Sequence, residues 1–345
     1  MVILITGGNG FLGRHLIEAL RDRGDEVRVL ALPSEDTSWL ESRGVAVYRG
    51  DVRESDTLDA PIRSVDAVVH LAGLMGVWRP YADYHAVNVR GTLNVCRAAL
   101  AAEVERLVHV SSSIVYGLAL EREVDEECPL SPFPHPYPVT KAEGDRLVLR
   151  MSADDQLPAV IIRPDQFFGP GDRLHFAHLA DRLRAGTAII IGSGENALPL
   201  VYVTDVVQAL VLALEHPAAI GRAYNISSDV TLSQRAFLTA IAREIGARPP
   251  RLHIPYRLLY AAGYAAELSA MAARRKFAPP ATRFGVAFLG TDSRAAIRRA
   301  TQELGYLPQV DLSEGVRLAA AWYLGHEDTR GRPSPASLPT NEVRA

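Results

Sequence analysis

The sequence predicts an α/β fold in which a doubly wound parallel sheet is followed by a smaller C-terminal lobe. Short apolar strand patterns alternate with helical patterns through the first half of the chain. The strands near Val68 and Val108 are apolar on both faces, as is typical of parallel strands covered by helices on both sides. From Gly169 onward the alternation gives way to Gly/Pro loops and separate helices, which predicts the second lobe.

The elements follow in order from these patterns. Strands are expected at 2–6, 26–31, 46–49, 67–70, 106–111 and 159–163, and later helices at 233–245, 254–273 and 293–304. The main domain is therefore expected over 1–168 and the smaller lobe over 169–325, with segments within about 201–226 returning to the main sheet. Residues 326–345 are polar and carry prolines, so they are expected to form a disordered tail.

The bulk composition excludes several classes of protein. With 345 residues, 48% hydrophobic, 22% charged and a net charge of -3, the chain has no electrostatic footprint for nucleic acid. Arg257 and Glu267 interrupt the apolar stretch 254–273, so no membrane span is expected, and a packed amphipathic helix is favoured there. The chain starts directly with a strand and not with a signal-peptide pattern, and Cys96 and Cys128 lack metal or redox spacing. These observations predict a cytoplasmic protein without a metal site.

A glycine-rich turn follows the first strand. Gly7, Gly10 and Gly13 lie between an apolar strand and a helix with an apolar face, where they let the backbone turn sharply and approach a pyrophosphate at the helix N-terminus. Since the strand at 26–31 completes a βαβ unit, the turn predicts a dinucleotide-binding domain of the Rossmann type.

Tyr137 and Lys141 are four residues apart, so on one helix they share a face. A tyrosine that acts as a base near pH 7 needs its pKa lowered by roughly three units, which is about 4 kcal/mol, and a nearby ammonium can supply part of this. Ser111, Ser112 and Ser113 follow the fifth strand, at the carboxyl edge where doubly wound sheets bind ligands. A serine hydroxyl there could hold a reacting oxygen atom.

These residues resemble the short-chain dehydrogenase/reductase superfamily in its extended branch, the NAD-dependent epimerase/dehydratase family. The resemblance covers roughly residues 1–325, and its further motifs are 50–52, 69–73, 88–95, 163–164, 168–172 and 202–205. It implies that Tyr137 is the general acid/base, that Lys141 binds the nicotinamide ribose and lowers the tyrosine pKa, and that Ser112 holds the reacting oxygen. It also implies a homodimer and two sets of binding residues. The expected cofactor residues are Gly7, Gly10, Phe11, Leu12, Gly13, Asp51, Val52, Leu71, Ala72, Gly73, Asn88, Ser111, Tyr137, Lys141 and Pro164, and the expected substrate residues are Ser113, Gln166 and Phe167.

The expected cofactor and substrate class are inferred from residue types that this chain lacks at particular positions. Residues 29–42 contain Glu35, Asp36 and Glu41 but no Lys or Arg, which favours NAD over NADP. Leu198 stands where family members that bind nucleotide sugars typically carry a phosphate-binding arginine. Ser113 and Ile114 follow Ser112 where the family's dehydratases have Asp-Glu. The chain is thus more similar to the 3β-hydroxysteroid dehydrogenase side of the branch, whose small-molecule substrates are apolar alcohols or ketones.

Three functions stay open at this point. The first is an NAD(P)-dependent oxidoreductase of a secondary alcohol or ketone. A sugar epimerase would use the same Ser112, Tyr137 and Lys141 but retain its NAD through the cycle. A dinucleotide-sensing regulator would keep the fold without catalysis.

Overall fold

The computed structural model describes residues 1–120 and 122–326. Its strands are β1 Val2–Thr6, β2 Glu26–Ala31, β3 Ala46–Arg49, β4 Ala67–His70, β5 Arg106–Val110, β6 Ala159–Pro164, β7 Gln166–Phe168, β8 Ile190–Ile191, β9 Ala197–Leu198, β10 Leu200–Tyr202, β11 Ala223–Ile226, β12 Leu232–Ser233 and β13 His253–Ile254. Its α-helices are α1 Phe11–Asp22, α2 Ser38–Ser42, α3 Tyr81–His85, α4 Thr92–Ala101, α5 Pro136–Asp154, α6 Phe176–Arg184, α7 Val203–Glu215, α8 Gln234–Glu244, α9 Tyr256–Ala272, α10 Arg283–Gly290 and α11 Leu312–Gly325.

A seven-stranded parallel sheet in the order β11-β6-β5-β4-β1-β2-β3 forms the centre of the molecule. Helices α1 and α7 belong to the apolar core on one face, and α4 and α5 to the core on the other. Every residue of β4 and β5 is buried, which explains the apolar runs at 68–69 and 107–108 in their sequences; His70, Arg106 and His109 are buried polar exceptions. The predicted doubly wound fold is confirmed, and the carboxyl ends of β1, β4 and β5 meet at one edge.

The segment around residue 201 does not return to the main sheet as expected. Only Ala223–Ile226 does so, as β11 beside β6, whereas Leu200–Tyr202 pairs in parallel with β7 in a separate two-stranded sheet. The chain leaves the main sheet after Pro164, and the backbone amide of Asp165 donates to Ile226 O at 2.8 Å. The strand that follows, β7, therefore pairs outside the main sheet, with β10.

The predicted helix at 293–304 is wrong over its first five residues. Residues 293–297 are irregular apart from a single bridge at Ala295, helical structure begins at residue 298, and Ala300–Leu304 is a π-helical turn. Ala295 forms a parallel bridge with Val124, and the amide of Ala296 donates to Val124 O at 2.8 Å. A tertiary partner thus satisfies backbone groups that the helix would otherwise have used.

Two expectations about the C-terminal half have different outcomes. The predicted disordered tail lies outside the described residues except for His326. The helix expected at 254–273 is present as α9, but it is not packed as expected, because only Gly263, Glu267 and Ala270 of it are buried. Among the residues described, no helix is long and apolar enough to cross a membrane.

Candidate active site

The glycine turn packs directly against the loop that follows β4. Gly7 has φ +72°, and a Cβ placed on it would lie 2.7 Å from the backbone nitrogen of Ala72. A Cβ on Gly13 would lie 2.4 Å from the carbonyl oxygen of Gly8. Only glycine fits at both positions, so the turn stays narrow as it leads into the N-terminus of α1, where Phe11 and Leu12 begin the helix.

Replacing Gly13 with alanine is expected to destabilise the protein by about 1–3 kcal/mol and to weaken NAD binding. The added Cβ would overlap backbone atoms of Gly8, so the backbone of the turn would have to move. Urea unfolding measures the first effect and titration with NAD the second. Gly325→Ala is the matched control, since nothing lies within 4 Å of the added Cβ. Equal stability of the Gly13 variant and the control would contradict the prediction.

Asn88 holds the loop formed by Leu71, Ala72 and Gly73. Its Oδ1 accepts from the amide of Leu74 at 2.8 Å, and its Nδ2 donates to Leu74 O at 3.0 Å and to Thr140 Oγ1 at 3.1 Å. Asn88 lies in the π-helical turn Ala86–Gly91, a feature that is frequent at functional sites. All of its amide contacts are therefore to protein, and it positions the loop and α5 relative to each other.

Asp51 and Val52, two of the expected cofactor residues, lie in the loop after β3. Both Asp51 oxygens are engaged by Arg53, whose Nη2 is 2.6 Å from Oδ2 and whose backbone amide donates to Oδ1 at 2.9 Å. Burial raises the pKa of Asp51, but the Arg53 contacts outweigh it and the net shift is downward. Val52 is buried, and its carbonyl accepts from Asn94 at 2.9 Å.

Tyr137 and Lys141 lie on α5, in its first two turns. The ring of His135 caps this helix, its Nδ1 accepting from the amide of Tyr137 at 3.2 Å, and Pro136 and Pro138 fit the first turn. Lys141 is buried and its ammonium donates to the carbonyl oxygen of Val110 at 2.7 Å, at the end of β5. The helix thus brings the predicted pair to the carboxyl edge of the sheet.

Ser112, which follows β5, lies close enough to Tyr137 for its hydroxyl to act on the pKa of the tyrosine. Burial raises the pKa of Tyr137 to about 12, and the interaction with the Ser112 hydroxyl acts in the opposite direction. Burial lowers the pKa of Lys141 to about 8, opposed by the Asp145 carboxylate. The phenol is therefore protonated at neutral pH, the form required to give a proton to a ketone oxygen.

The two neighbouring serines have different surroundings. Ser111 is buried, and its hydroxyl oxygen has no hydrogen-bond partner among the described residues. Ser113 is buried near Asp165, a residue that sequence reasoning missed. Burial raises the pKa of Asp165 to about 6, while the hydroxyls of Ser113 and Ser227 act against the rise.

Aromatic side chains surround Tyr137. The ring centroid of Phe284, on α10, lies 6.5 Å from that of Tyr137 and 4.4 Å from that of His135, on which it stacks. Tyr84 lies 6.4 Å from Tyr137, and Phe133 lies 6.0 Å from Phe284. We call Tyr84, Phe133, His135 and Phe284 the aromatic wall. The sequence gives no local signal for it, because Tyr84 and Phe284 come from segments far from Phe133 and His135 in the chain.

The position of the missing arginine is buried. Leu198 is 2% exposed and pairs with Leu232 of β12. A small cavity touches it, lined by side chains that include Glu123, Asp165, Asp229 and Arg294. Three carboxyl groups and one guanidinium are an unfavourable setting for a diphosphate.

The predicted residues after β6 lie in two places. Pro164 is buried at the end of β6, beside Ile226. Phe167 stacks on Phe11 of the glycine turn with the ring centroids 5.7 Å apart, so it contacts the helix expected to hold the cofactor. Gln166 is partly buried in the same strand, and its backbone N–H donates to Pro199 O at 2.9 Å.

Two buried histidines that sequence reasoning missed lie behind the site, at the ends of β4 and β5. The rings of His70 and His109 are 5.3 Å apart, and His70 contacts Thr6 Oγ1 at 2.7 Å. Neither ring nitrogen of His109 has a hydrogen-bond partner among the described residues. Burial, with the Lys141 charge second, lowers the pKa of His70 to about 3 and that of His109 well below its usual value.

This burial predicts a loss of stability in acid. Below pH 6.5, and down to about pH 3 for His70, the unfolded chain binds protons that the folded chain does not, so stability falls as the pH falls, by up to about 1.4 kcal/mol per pH unit for each group. His109→Leu is expected to flatten this slope in urea unfolding measured from pH 7 to pH 5. The exposed His253→Leu is the control. A slope unchanged by His109→Leu would contradict the prediction.

Residues 3–227, well over half of the chain, match the family model described as "NAD dependent epimerase/dehydratase family". The chain belongs to that family. The extended short-chain dehydrogenase/reductase resemblance is therefore confirmed, and the protein is an enzyme of this type, an oxidoreductase of an NAD-dependent family.

Two curated relatives cover nearly the whole chain. The "2-alkyl-3-oxoalkanoate reductase" of Stenotrophomonas maltophilia (strain K279a) is 34% identical over 325 residues, 92% of this chain and 98% of the relative. The "3beta-hydroxysteroid-dehydrogenase/decarboxylase isoform 1" of Arabidopsis thaliana is 32% identical, over 91% of this chain and 77% of the relative. Both are named for oxidoreductase chemistry.

A solved structure supports the fold and the cofactor class. The UDP-glucose 4-epimerase of Thermus thermophilus, solved as a complex with NAD, superimposes with a TM-score of 0.76 at 26% identity, covering 94% of this chain and 99% of that one. The narrow turn at Gly7, the loop at Ala72 and the Ser111 hydroxyl, which no described residue bonds, fit a dinucleotide at this edge. Among the described residues no group of His, Cys, Asp or Glu side chains is arranged to hold a metal ion.

Proposed function

We propose that this protein is an NAD-dependent ketoreductase that interconverts a ketone and a secondary alcohol on a small, fairly apolar substrate. The observation that carries the proposal is the aromatic wall around Tyr137. Aromatic surroundings of this kind favour apolar groups and offer a charged substrate little compensation for lost water. The names of the two relatives, a 3-oxoalkanoate reductase and a 3β-hydroxysteroid dehydrogenase, support the same substrate class.

The proposed roles follow from the positions of three residues. Ser112 and Tyr137 bind one carbonyl oxygen, and Tyr137 gives its proton to that oxygen. Lys141, held at Val110 O, places a positive charge on the same helix face and favours the phenolate that remains. When bound, the nicotinamide supplies the hydride to the carbonyl carbon, and oxidation reverses both transfers.

Arg49 reaches the loop after β2 and Arg14 reaches the glycine turn, two arginines that residues 29–42 alone do not reveal. Arg49 donates to Leu32 O at 3.3 Å and Glu35 O at 2.8 Å, and Arg14 donates to Asn9 Oδ1 at 3.0 Å. Both guanidinium groups are thus already engaged by the protein. This supports NAD over NADP, whose additional phosphate needs an available arginine.

A panel assay tests the proposal. Purified protein is incubated with NADH or NADPH and a long-chain 3-oxoacid, a 3-oxosteroid or a nucleotide sugar, while the absorbance of the reduced nicotinamide is followed. The expected result is oxidation of NADH with one of the two ketones. Conversion of a nucleotide sugar without net cofactor change would show the epimerase instead, and no turnover with any of them would overturn the proposal.

Homodimerisation and a cytoplasmic location stay predictions.

A further inference from the structure

Helix α9 presents an apolar surface on the outside of the C-terminal lobe. Leu258, Tyr264, Leu268 and Met271 are 63%, 46%, 47% and 52% exposed, and Phe277, just after the helix, is 60% exposed. Contiguous exposed apolar side chains of this size are unusual on a protein surface and mark interaction sites.

The helical spacing places three of these side chains together. Tyr264, Leu268 and Met271 are four and three residues apart, so they form one stripe, and the exposed Ala261 and Ala265 lie beside it. The opposite side of the helix holds the buried Gly263, Glu267 and Ala270. A Cβ on Gly263 would lie 3.2 Å from the backbone of Thr282, so α9 rests closely on the start of α10.

The charge around this stripe has one sign. Arg257 lies in the first turn of the helix, and Arg274, Arg275 and Lys276 follow its last turn, all exposed. Between residues 245 and 291 the only acidic residue is Glu267, which is buried and bonded to Arg283 at 2.6 Å. The exposed surface therefore combines apolar and basic side chains without an exposed carboxylate.

This combination identifies the partner. Apolar side chains on one helix surface flanked by Lys and Arg are typical of helices that lie in the interface of an anionic bilayer. A second copy of the chain packed on this surface about a two-fold axis would bring its own basic residues to the same stripe, with no exposed carboxylate between 245 and 291 to balance them. An anionic lipid surface supplies both the apolar medium and the opposite charge.

We propose that Leu258, Tyr264, Leu268, Met271 and Phe277, together with Arg257, Arg274, Arg275 and Lys276, form a docking face for anionic membranes. The surface lies beside the candidate active site, because Trp78, in the loop after Gly73, donates its Nε1 hydrogen to Arg275 O at 3.1 Å, and α10 carries Phe284 of the aromatic wall. Binding at this face does not depend on the proposed reaction, since it uses none of the reacting residues.

Vesicle sedimentation with the full chain tests the proposal. The probes are vesicles of phosphatidylcholine alone and of equal parts phosphatidylcholine and phosphatidylglycerol. The wild-type protein is expected to sediment with the mixed vesicles and to be released by added salt, because each basic residue near an anionic surface strengthens binding by roughly fivefold. No sedimentation with either vesicle, or equal sedimentation with both, would overturn the proposal.

Two variants locate the binding. Leu268→Ser with Met271→Ser removes apolar contact, and Arg274→Glu with Arg275→Glu and Lys276→Glu reverses the charge; each set is expected to lower the vesicle affinity by more than about tenfold. Leu307→Ser, at a residue 55% exposed elsewhere, is the control. Circular dichroism checks folding, and the charge-reversal variant carries the test if the serine variant does not fold. Unchanged vesicle affinity in folded variants would overturn the proposal. Loss of a solution oligomer in the Leu268→Ser, Met271→Ser variant would also overturn it, because the surface would then bind a second copy of the chain.

Discussion

Replacing Tyr137 with phenylalanine is expected to lower kcat by about 10²–10⁴-fold while leaving the affinity for NAD nearly unchanged. The change removes one hydroxyl group and keeps the ring, whose neighbours Tyr84 and Phe284 lie 6.4 and 6.5 Å away by ring centroids. The carbonyl oxygen then has no proton donor in the proposed mechanism. Steady-state kinetics with the ketone found in the panel assay, and titration with NAD, measure the two effects.

Tyr81→Phe is the matched control for this experiment. Tyr81 is 44% exposed, and its hydroxyl donates to Glu143, on the same helix as Tyr137, at 2.8 Å. The control removes an equivalent hydroxyl and is expected to keep its turnover. Full turnover by Tyr137→Phe would contradict the proposed role, and a wild-type protein that binds NAD without any turnover would instead indicate the sensor.

Replacing Asp145 with asparagine is expected to lower the free energy of unfolding by about 3–5 kcal/mol. Asp145 and Arg163 are 0% and 2% exposed, and the guanidinium forms two hydrogen bonds to the carboxylate, at 2.7 and 2.9 Å. Arg163 also donates to the hydroxyl of Tyr116 at 2.6 Å. The variant leaves a buried guanidinium without its counter-charge, between α5 and β6, and chemical denaturation measures the loss.

Two further variants separate this effect from the general cost of removing a charge. Glu314→Gln breaks an exposed pair with Arg317 and is expected to have a far smaller effect. The double change Asp145→Leu with Arg163→Met removes both charges and is expected to cost less than the sum of the two single changes, because neither group is left unpaired. Additive losses would contradict the interpretation.

Local sequence patterns predicted the elements of the main sheet well, because those patterns reflect burial within the element itself. The six expected strands end within a residue of their observed bounds. Patterns failed where a distant segment supplied the partner. Val124 draws residues 293–297 out of the expected helix, and β7 takes β10 away from the main sheet. For α9, hydrophobicity suggested packing, but no described element covers its exposed side.

The sequence by itself determined the parallel sheet, the glycine turn and the shared helix face of Tyr137 and Lys141, since each depends on spacing along one element. Only the tertiary structure decided what surrounds them. Phe284 reaches Tyr137, Arg163 reaches Asp145, and Asn88 fixes the loop at Gly73, through contacts between segments far apart in the chain. Such contacts leave no periodic trace in the sequence, because their geometry is set by the packing of the whole sheet and its helices.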